Sequence, residues 1–148
     1  MTIRPATRSD VPRIVALLAD DALGATRESP GDPERYETAF DAVAADPAQL
    51  LVVATTADGE VVGTLQLTFI PGLARRGALR AQIEAVRVAS SARGAGLGET
   101  LLRWAVEESR RRGAALVQLT SDAARPDAHR FYERLGFTAT HVGFKLAL

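Results

Sequence analysis

In the stretch RVASSARGAGLGETLL, Gly94, Gly96 and Gly98 stand where a strand-like alternation gives way to a leucine-rich helical pattern. Glycine gives up more backbone freedom on folding than any other residue, so such density needs a compensating use. A helix N-terminus exposes unpaired N–H groups and the positive end of the helix dipole, and bare glycines let a phosphate approach them closely. Arg93 adds a guanidinium beside those groups. A nucleoside-triphosphate loop would end in Gly-Lys-Ser/Thr, whereas this one ends in Gly98-Glu99-Thr100. A dinucleotide fingerprint would read G-x-G-x-x-G, and the spacing here is G-x-G-x-G, late in the chain. Taken alone, the glycines are equally compatible with a tight loop and a close helix–strand contact.

Glu84 is a carboxylate on an otherwise mostly apolar strand pattern, QIEAVRV. It could act as a base or bind a substrate amine, or it could form a structural ion pair with Arg80 or Arg87. Simple alternation puts Glu84 on the face of Val86 and Val88, unless a bulge intervenes. The chain has no cysteine, which excludes disulfides, thiolate metal sites and a cysteine nucleophile, so any thiol chemistry uses a thiol brought by a ligand. Its two histidines, His129 and His141, have no supporting cluster and read as surface or edge residues, so no metal site is expected.

The elements that hold these residues can be read from periodicity. A strand is expected at 2–5 and a helix after it, with Thr7 and Asp10 at capping-box spacing and Ile14, Leu17, Leu18 and Ala22 on one face. Residues 24–49 begin as loop and end as a helix carrying Tyr36, Phe40 and Val43 on one side, a lid or recognition element. LLVVATT and EVVGTLQLTFI flank Asp58-Gly59, a hairpin turn. The loop PGLARRG leads to the strand ALRAQIEAVRV, followed by a helix over 97–112 that ends at Gly113, the strand ALVQLT, a helix near 126–135 ending at Gly136, and a terminal strand through VGFKLAL. The order βααβββαβαβ predicts an α/β fold with a mixed sheet, and 148 residues fit one domain over 1–148. Eighteen basic residues balance eighteen acidic ones without segregation, so no nucleic-acid partner is expected. The polar start and the lack of a long apolar run predict no membrane association and a cytoplasmic protein.

Some thirty residues after the glycine loop comes DAHRFYERLGF. Together RVASSARGAGLG and HRFYERLGF resemble the two core motifs of the GNAT superfamily of N-acetyltransferases. Arg93, Gly96 and Gly98 match that family's Arg/Gln-x-x-Gly-x-Gly/Ala pyrophosphate loop. Ala128, Phe131, Tyr132, Glu133, Leu135, Gly136 and Phe137 match its A-x-x-F-Y-E-x-L-G-F helix. The resemblance covers nearly the whole chain. It implies a mixed central sheet with a splayed parallel strand pair, flanked by helices, and acetyl-CoA as co-substrate without a metal.

By this resemblance the backbone of Val86 and Val88 pairs with the pantetheine arm, and the N–H groups of Arg93, Gly94, Ala95, Gly96, Leu97 and Gly98 hold the pyrophosphate. Tyr132 takes the place of the tyrosine that protonates the CoA sulfur, with simple packing beside Phe131 as the alternative. Glu84 takes the place of the base. Many relatives carry Asn three residues before the motif Ala; here that residue is Arg125, and Arg125, Asp127 or backbone alone is left to make the contact. The implied acceptor is a small-molecule or peptide amine, and a homodimer is left open. The rival is a CoA-binding sensor or regulator of the same fold without turnover. In the family the acceptor is read by variable segments, here Leu23 to Asp46 and Ile70 to Leu79; acidic residues in the first (Glu28, Asp32, Glu34, Glu37, Asp41) and arginines in or beside the second (Arg75, Arg76, Arg80) suggest a zwitterionic or amine-plus-anion acceptor, or two solvated loops.

Overall fold

The computed structural model describes residues 1–20 and 24–148, so Ala22 and Leu23, which the sequence places on the first helix face and at the start of the recognition segment, lie outside the described residues. The chain divides into two compact units, Met1–Gln118 and Leu119–Leu148.

The sheet has strand order β1-β2-β3-β4-β5, with β1 (Thr2–Pro5), β2 (Gln49–Thr55), β3 (Val61–Ile70) and β4 (Arg80–Val88) in the first unit and β5 (Leu116–Leu119) at the boundary between the two. β1 to β4 pair antiparallel, and β4 and β5 are the parallel pair. The helices are α1 (Val11–Ala19), α2 (Gly24–Arg27), α3 (Pro33–Ala45), the single turn α4 (Ala74–Gly77) and α5 (Leu97–Arg111). α1 and α5 both pack on β3 and β4, and α3 lies against β2 and α1.

Local chemistry sets these elements. The Thr7–Asp10 capping box forms: Asp10 Oδ2 accepts from Thr7 N–H at 2.8 Å, opening a 3-10 turn that runs into α1. The same carboxylate receives both terminal nitrogens of Arg4 from β1, at 2.7 and 2.9 Å, so one buried acid ties the first strand to the first helix. Gly59 makes the hairpin turn at φ +86°. The core consists of Val52, Val53, Leu65, Leu67, Ala81 and Ile83 from the sheet, met by Ile14, Val15 and Leu17 of α1 and Leu97, Leu101, Leu102 and Ala105 of α5. α5 reaches the sheet because residue 63 is glycine: a Cβ there would stand 3.0 Å from Leu101 Cδ1 and 3.3 Å from the Arg87 carbonyl.

The second unit holds α6 (Pro126–Arg134). Gly136 at φ +90° ends it, with Phe137 N–H returning to Tyr132 O at 3.1 Å. The terminal strand expected through VGFKLAL is not formed. Residues 138–148 carry no regular structure, and Val142, Phe144, Leu146 and Leu148 are exposed. Alternation supplies a strand's side chains, but its backbone bonds must come from a partner strand, and past Leu119 the unit has none to give.

Candidate active site

β4 carries the site's first half, and a bulge decides which way its residues face. Glu84 pairs with Gln66 and Arg87 with Thr64, so three steps on β4 oppose two on β3; Ala85, inside the bulge, sits at φ +52°. Paired residues share a sheet face, and therefore Arg87, not Val88, lies on the face of Glu84; Val88 pairs with Gly63 and belongs to the opposite side. The expectation from simple alternation is corrected on this point. Glu84 is exposed and makes no ion pair with any described residue, so its pairing with Arg80 or Arg87 is not formed. Its face is polar and ordered: Gln49 Oε1 accepts from Gln66 Nε2 at 2.8 Å and from Thr68 Oγ1 at 2.9 Å, and Gln118 Nε2 donates to Gln82 Oε1 at 2.8 Å. Sequence reasoning missed this glutamine floor, although the alternation of Gln66, Thr68 and Gln82 with apolar residues was a usable signal.

β5 is short. Ala115 N–H bonds Leu79 O at 2.8 Å, just ahead of both strands, and β5 ends four residues later at Leu119. β4 runs on to Val88, so its Ala85–Val88 half extends beyond the end of β5 as an open edge. An extended ligand can add itself to such an edge as a strand would.

The glycine loop follows directly. Gly94 and Gly96 adopt φ +82° and +76°, and Gly96 is the left-handed N-cap of α5. Nothing lies within 4 Å of a Cβ built on either, so these glycines serve a backbone shape and an open approach rather than close packing. The N–H groups of Gly94, Ala95, Gly96, Leu97 and Gly98 meet no acceptor among the described residues. The Arg93 N–H is different, being directed to Ser90 O at 3.3 Å, and this narrows the expected cradle by one donor. The Arg93 side chain folds back: Nε donates to Val88 O at 3.3 Å, and Nη2 donates to Asp20 O at 3.1 Å and Asp20 Oδ2 at 3.3 Å. Ser90 N–H also reaches Asp20 Oδ2, at 3.2 Å. Asp20, another residue the sequence reading missed, thus moors the loop to the end of α1, beside a cleft of about 360 Å³ lined by Arg13, Leu17, Ala89 and Ser90 among others.

In the second unit, α6 presents Tyr132, half-buried, its ring 5.5 Å from that of Phe131 and 6.2 Å edge-on from that of Phe137. Arg125 is the N-cap of α6, and Asp127 is held by Arg130. His129 Nε2 bonds Asp122 O at 2.8 Å and His141 Nδ1 bonds Thr140 Oγ1 at 2.7 Å. No group of three or more potential metal ligands occurs among the described residues. None of their helices is long and apolar enough to cross a membrane.

A glycine-cradled helix N-terminus beside an open parallel strand pair can be set against known proteins. The profile of the acetyltransferase (GNAT) family matches residues 13–137. The chain belongs to this family. As a GNAT protein it is similar to the aminoalkylphosphonate N-acetyltransferase of Salmonella typhimurium, 33% identical over 99% of this chain and 90% of that one. It is also similar to the glucosamine 6-phosphate N-acetyltransferase of Trypanosoma brucei, 40% identical over 61% of this chain and 59% of that one. Among solved structures, a protein from Bacillus halodurans C-125 described as a transcriptional regulator superposes with a TM-score of 0.95, at 48% identity and 99% coverage of both chains. The GNAT assignment carries the class of chemistry with it: this is an acyltransferase, and its curated relatives are N-acetyltransferases.

Proposed function

We propose that this GNAT protein transfers an acetyl group from acetyl-CoA to the primary amine of a small molecule by direct attack within a ternary complex. The observation that carries the reading is the row of unsatisfied N–H groups from Gly94 to Gly98, placed immediately after the open edge of β4. Those donors suit a pyrophosphate, and the backbone of Val86 and Val88 suits the pantetheine amides, so the thioester would lie along the strand that carries Glu84. The amine nitrogen attacks the thioester carbonyl, the C–N bond forms and the C–S bond breaks. Glu84, exposed and without an ion-pair partner among the described residues, takes the amine's proton directly or through water, and Tyr132 gives its phenolic proton to the departing thiolate. Absence of cysteine favours this route over a cysteine-bound acyl-enzyme. Both curated relatives are named for acceptors in which an amine accompanies a phosphonate or a phosphate, which favours a small molecule over a peptide. The family match runs through both compact units, which supports one functional domain over 1–148. A cytoplasmic location completes the reading.

Gly96→Trp tests it. The substitution places a bulky side chain in the open approach at a left-handed position, so acetyl-CoA binding measured by calorimetry is expected to be lost while circular dichroism stays native. Unchanged affinity would remove the phosphate cradle. Tight acetyl-CoA binding by the wild type with no turnover over a panel of amines, amino acids, peptides and aminoglycosides would instead favour a CoA-binding regulator, a role consistent with the description of the Bacillus protein.

A further inference from the structure

The charged residues of the two variable segments are not equally occupied. On the acidic side, Asp41 and Glu37 are held by Arg8, Asp32 by Arg35, and Glu28 accepts from the Tyr36 hydroxyl at 2.8 Å, while Glu34 makes no ion pair or side-chain hydrogen bond with any described residue. On the basic side, the guanidinium groups of Arg75, Arg76 and Arg80 make no hydrogen bond or ion pair with any described residue. Elsewhere in the chain Arg4, Arg13, Arg93, Arg103, Arg110 and Arg112 are each paired with a carboxylate, whereas Arg134 lies over the Phe131 ring and Arg125, a lone cation at the start of α6, meets no carboxylate among the described residues. The three idle cations sit together in sequence, at the end of the β3–β4 connection and the start of β4.

Their backbone points the same way. Arg75 (φ +57°, ψ +38°) and Arg76 (φ +62°, ψ +39°) are both left-handed, followed by Gly77 at φ +75°. Only a Gly77 N–H to Leu73 O bond at 3.1 Å and a longer one from Ala78 to Ala74 O hold the turn. Two successive non-glycine residues in this conformation are costly, and neither side chain makes a hydrogen bond or ion pair with any described residue to offset it.

Arg80, Gln82 and Glu84 lie on one face of β4, opposite Ile70, Thr68 and Gln66 in register and before the bulge. At roughly 3.3 Å per residue, the Arg80 and Glu84 backbones stand about 13 Å apart. Between them on that face lies Gln82, held by Gln118, beside Gln66 and Thr68, which are held by Gln49.

We propose that Arg75, Arg76 and Arg80 form a binding site for a phosphate or phosphonate group on the acetyl acceptor, whose amine is thereby placed at Glu84. This rests on the acetyl-transfer reading above and names the acceptor class for it. Three guanidiniums that meet no carboxylate among the described residues match a dianionic tetrahedral group, with several oxygens for forked donors, better than a single carboxylate.

The test compares 2-aminoethylphosphonate with β-alanine and propylamine as acceptors at saturating acetyl-CoA. Wild type is expected to prefer the phosphonate over propylamine by 100-fold or more in kcat/KM, with β-alanine between. In the Arg75→Ala/Arg76→Ala/Arg80→Ala variant that preference should shrink at least tenfold. Arg75→Gly/Arg76→Gly removes two guanidiniums but suits the left-handed turn, so a reduced preference there cannot come from collapse of the turn. Arg75→Lys/Arg76→Lys keeps the charge without the fork and should fall between. Calorimetric titration of wild type and triple variant with 2-aminoethylphosphonate in the presence of CoA separates this inference from the acetyl-transfer reading. Arginine-dependent binding without turnover sustains the anion site and removes the enzyme. Equal kcat/KM for phosphonate and propylamine, a preference indifferent to the arginines, or phosphonate binding that is absent or unaltered in the triple variant overturns the site.

Discussion

Glu84 and Tyr132 make separable predictions because a base and an acid fail differently. General acid–base groups typically contribute about 10²–10⁴-fold, so Tyr132→Phe, which keeps the ring between Phe131 and Phe137 and removes only the hydroxyl, should lower kcat by that order with little change in acetyl-CoA binding. Glu84→Gln should lose most at low pH, where the acceptor amine is protonated, and recover as pH rises and free amine forms unaided; a pH profile of kcat/KM reads the difference. If both variants run at wild-type rates at every pH, proximity and backbone donors alone do the chemistry. Asp10 governs stability rather than reaction. The bond from Arg4, with further help from Thr7, holds its carboxyl well below the usual carboxylate range. A depressed folded-state pKa means that the stabilisation is fully present above the unfolded value near 4 and is lost as pH falls from there toward the folded value. Acid titration of the wild type should show this loss below about pH 4. Asp10→Asn should cost roughly 1–2 kcal/mol at neutral pH and flatten the acid limb, as urea unfolding at several pH values would record.

At the level of elements, two positions test how the sheet is dressed. Gly63→Val drives a side chain into Leu101 and the Arg87 carbonyl, where backbone cannot yield. Overpacking of this kind costs about 1–3 kcal/mol, so the melting temperature should drop by several degrees, and an unchanged value would mean that α5 is not seated on β3 as described. The α4 turn predicts the opposite sign. Left-handed backbone costs non-glycine residues roughly 1–2 kcal/mol each, partly offset by the entropy glycine loses on folding. Arg75→Gly/Arg76→Gly should therefore raise the melting temperature by a few degrees while removing two exposed cations. A stabilised protein with impaired acceptor selection is the pattern expected of strain kept for binding.

Across the whole molecule, the GNAT assignment spans both compact units, and each unit supplies one of the family's motifs: the glycine loop in Met1–Gln118 and the aromatic helix in Leu119–Leu148. The sequence by itself determined the α/β class, both motifs, most helix ends and the order of the main elements as far as α6, because these depend on local chemistry: Thr7 with Asp10, Asp58-Gly59, Gly96, Gly113 and Gly136 act through bonds within a few residues. Tertiary structure decided what depends on a partner. The bulge at Ala85 is a mismatch between β4 and β3, and the face on which Arg87 and Val88 lie could not be read from β4 alone. The mooring of Arg93 by Asp20 joins residues 73 apart, and no local spacing announces it. That most acids of the α3 segment are paired while Arg75, Arg76 and Arg80 meet no carboxylate among the described residues is invisible in a balanced composition and came only from knowing which charges meet. The alternation in VGFKLAL was legible and yet gave no strand, because a strand's backbone bonds are made only with another strand.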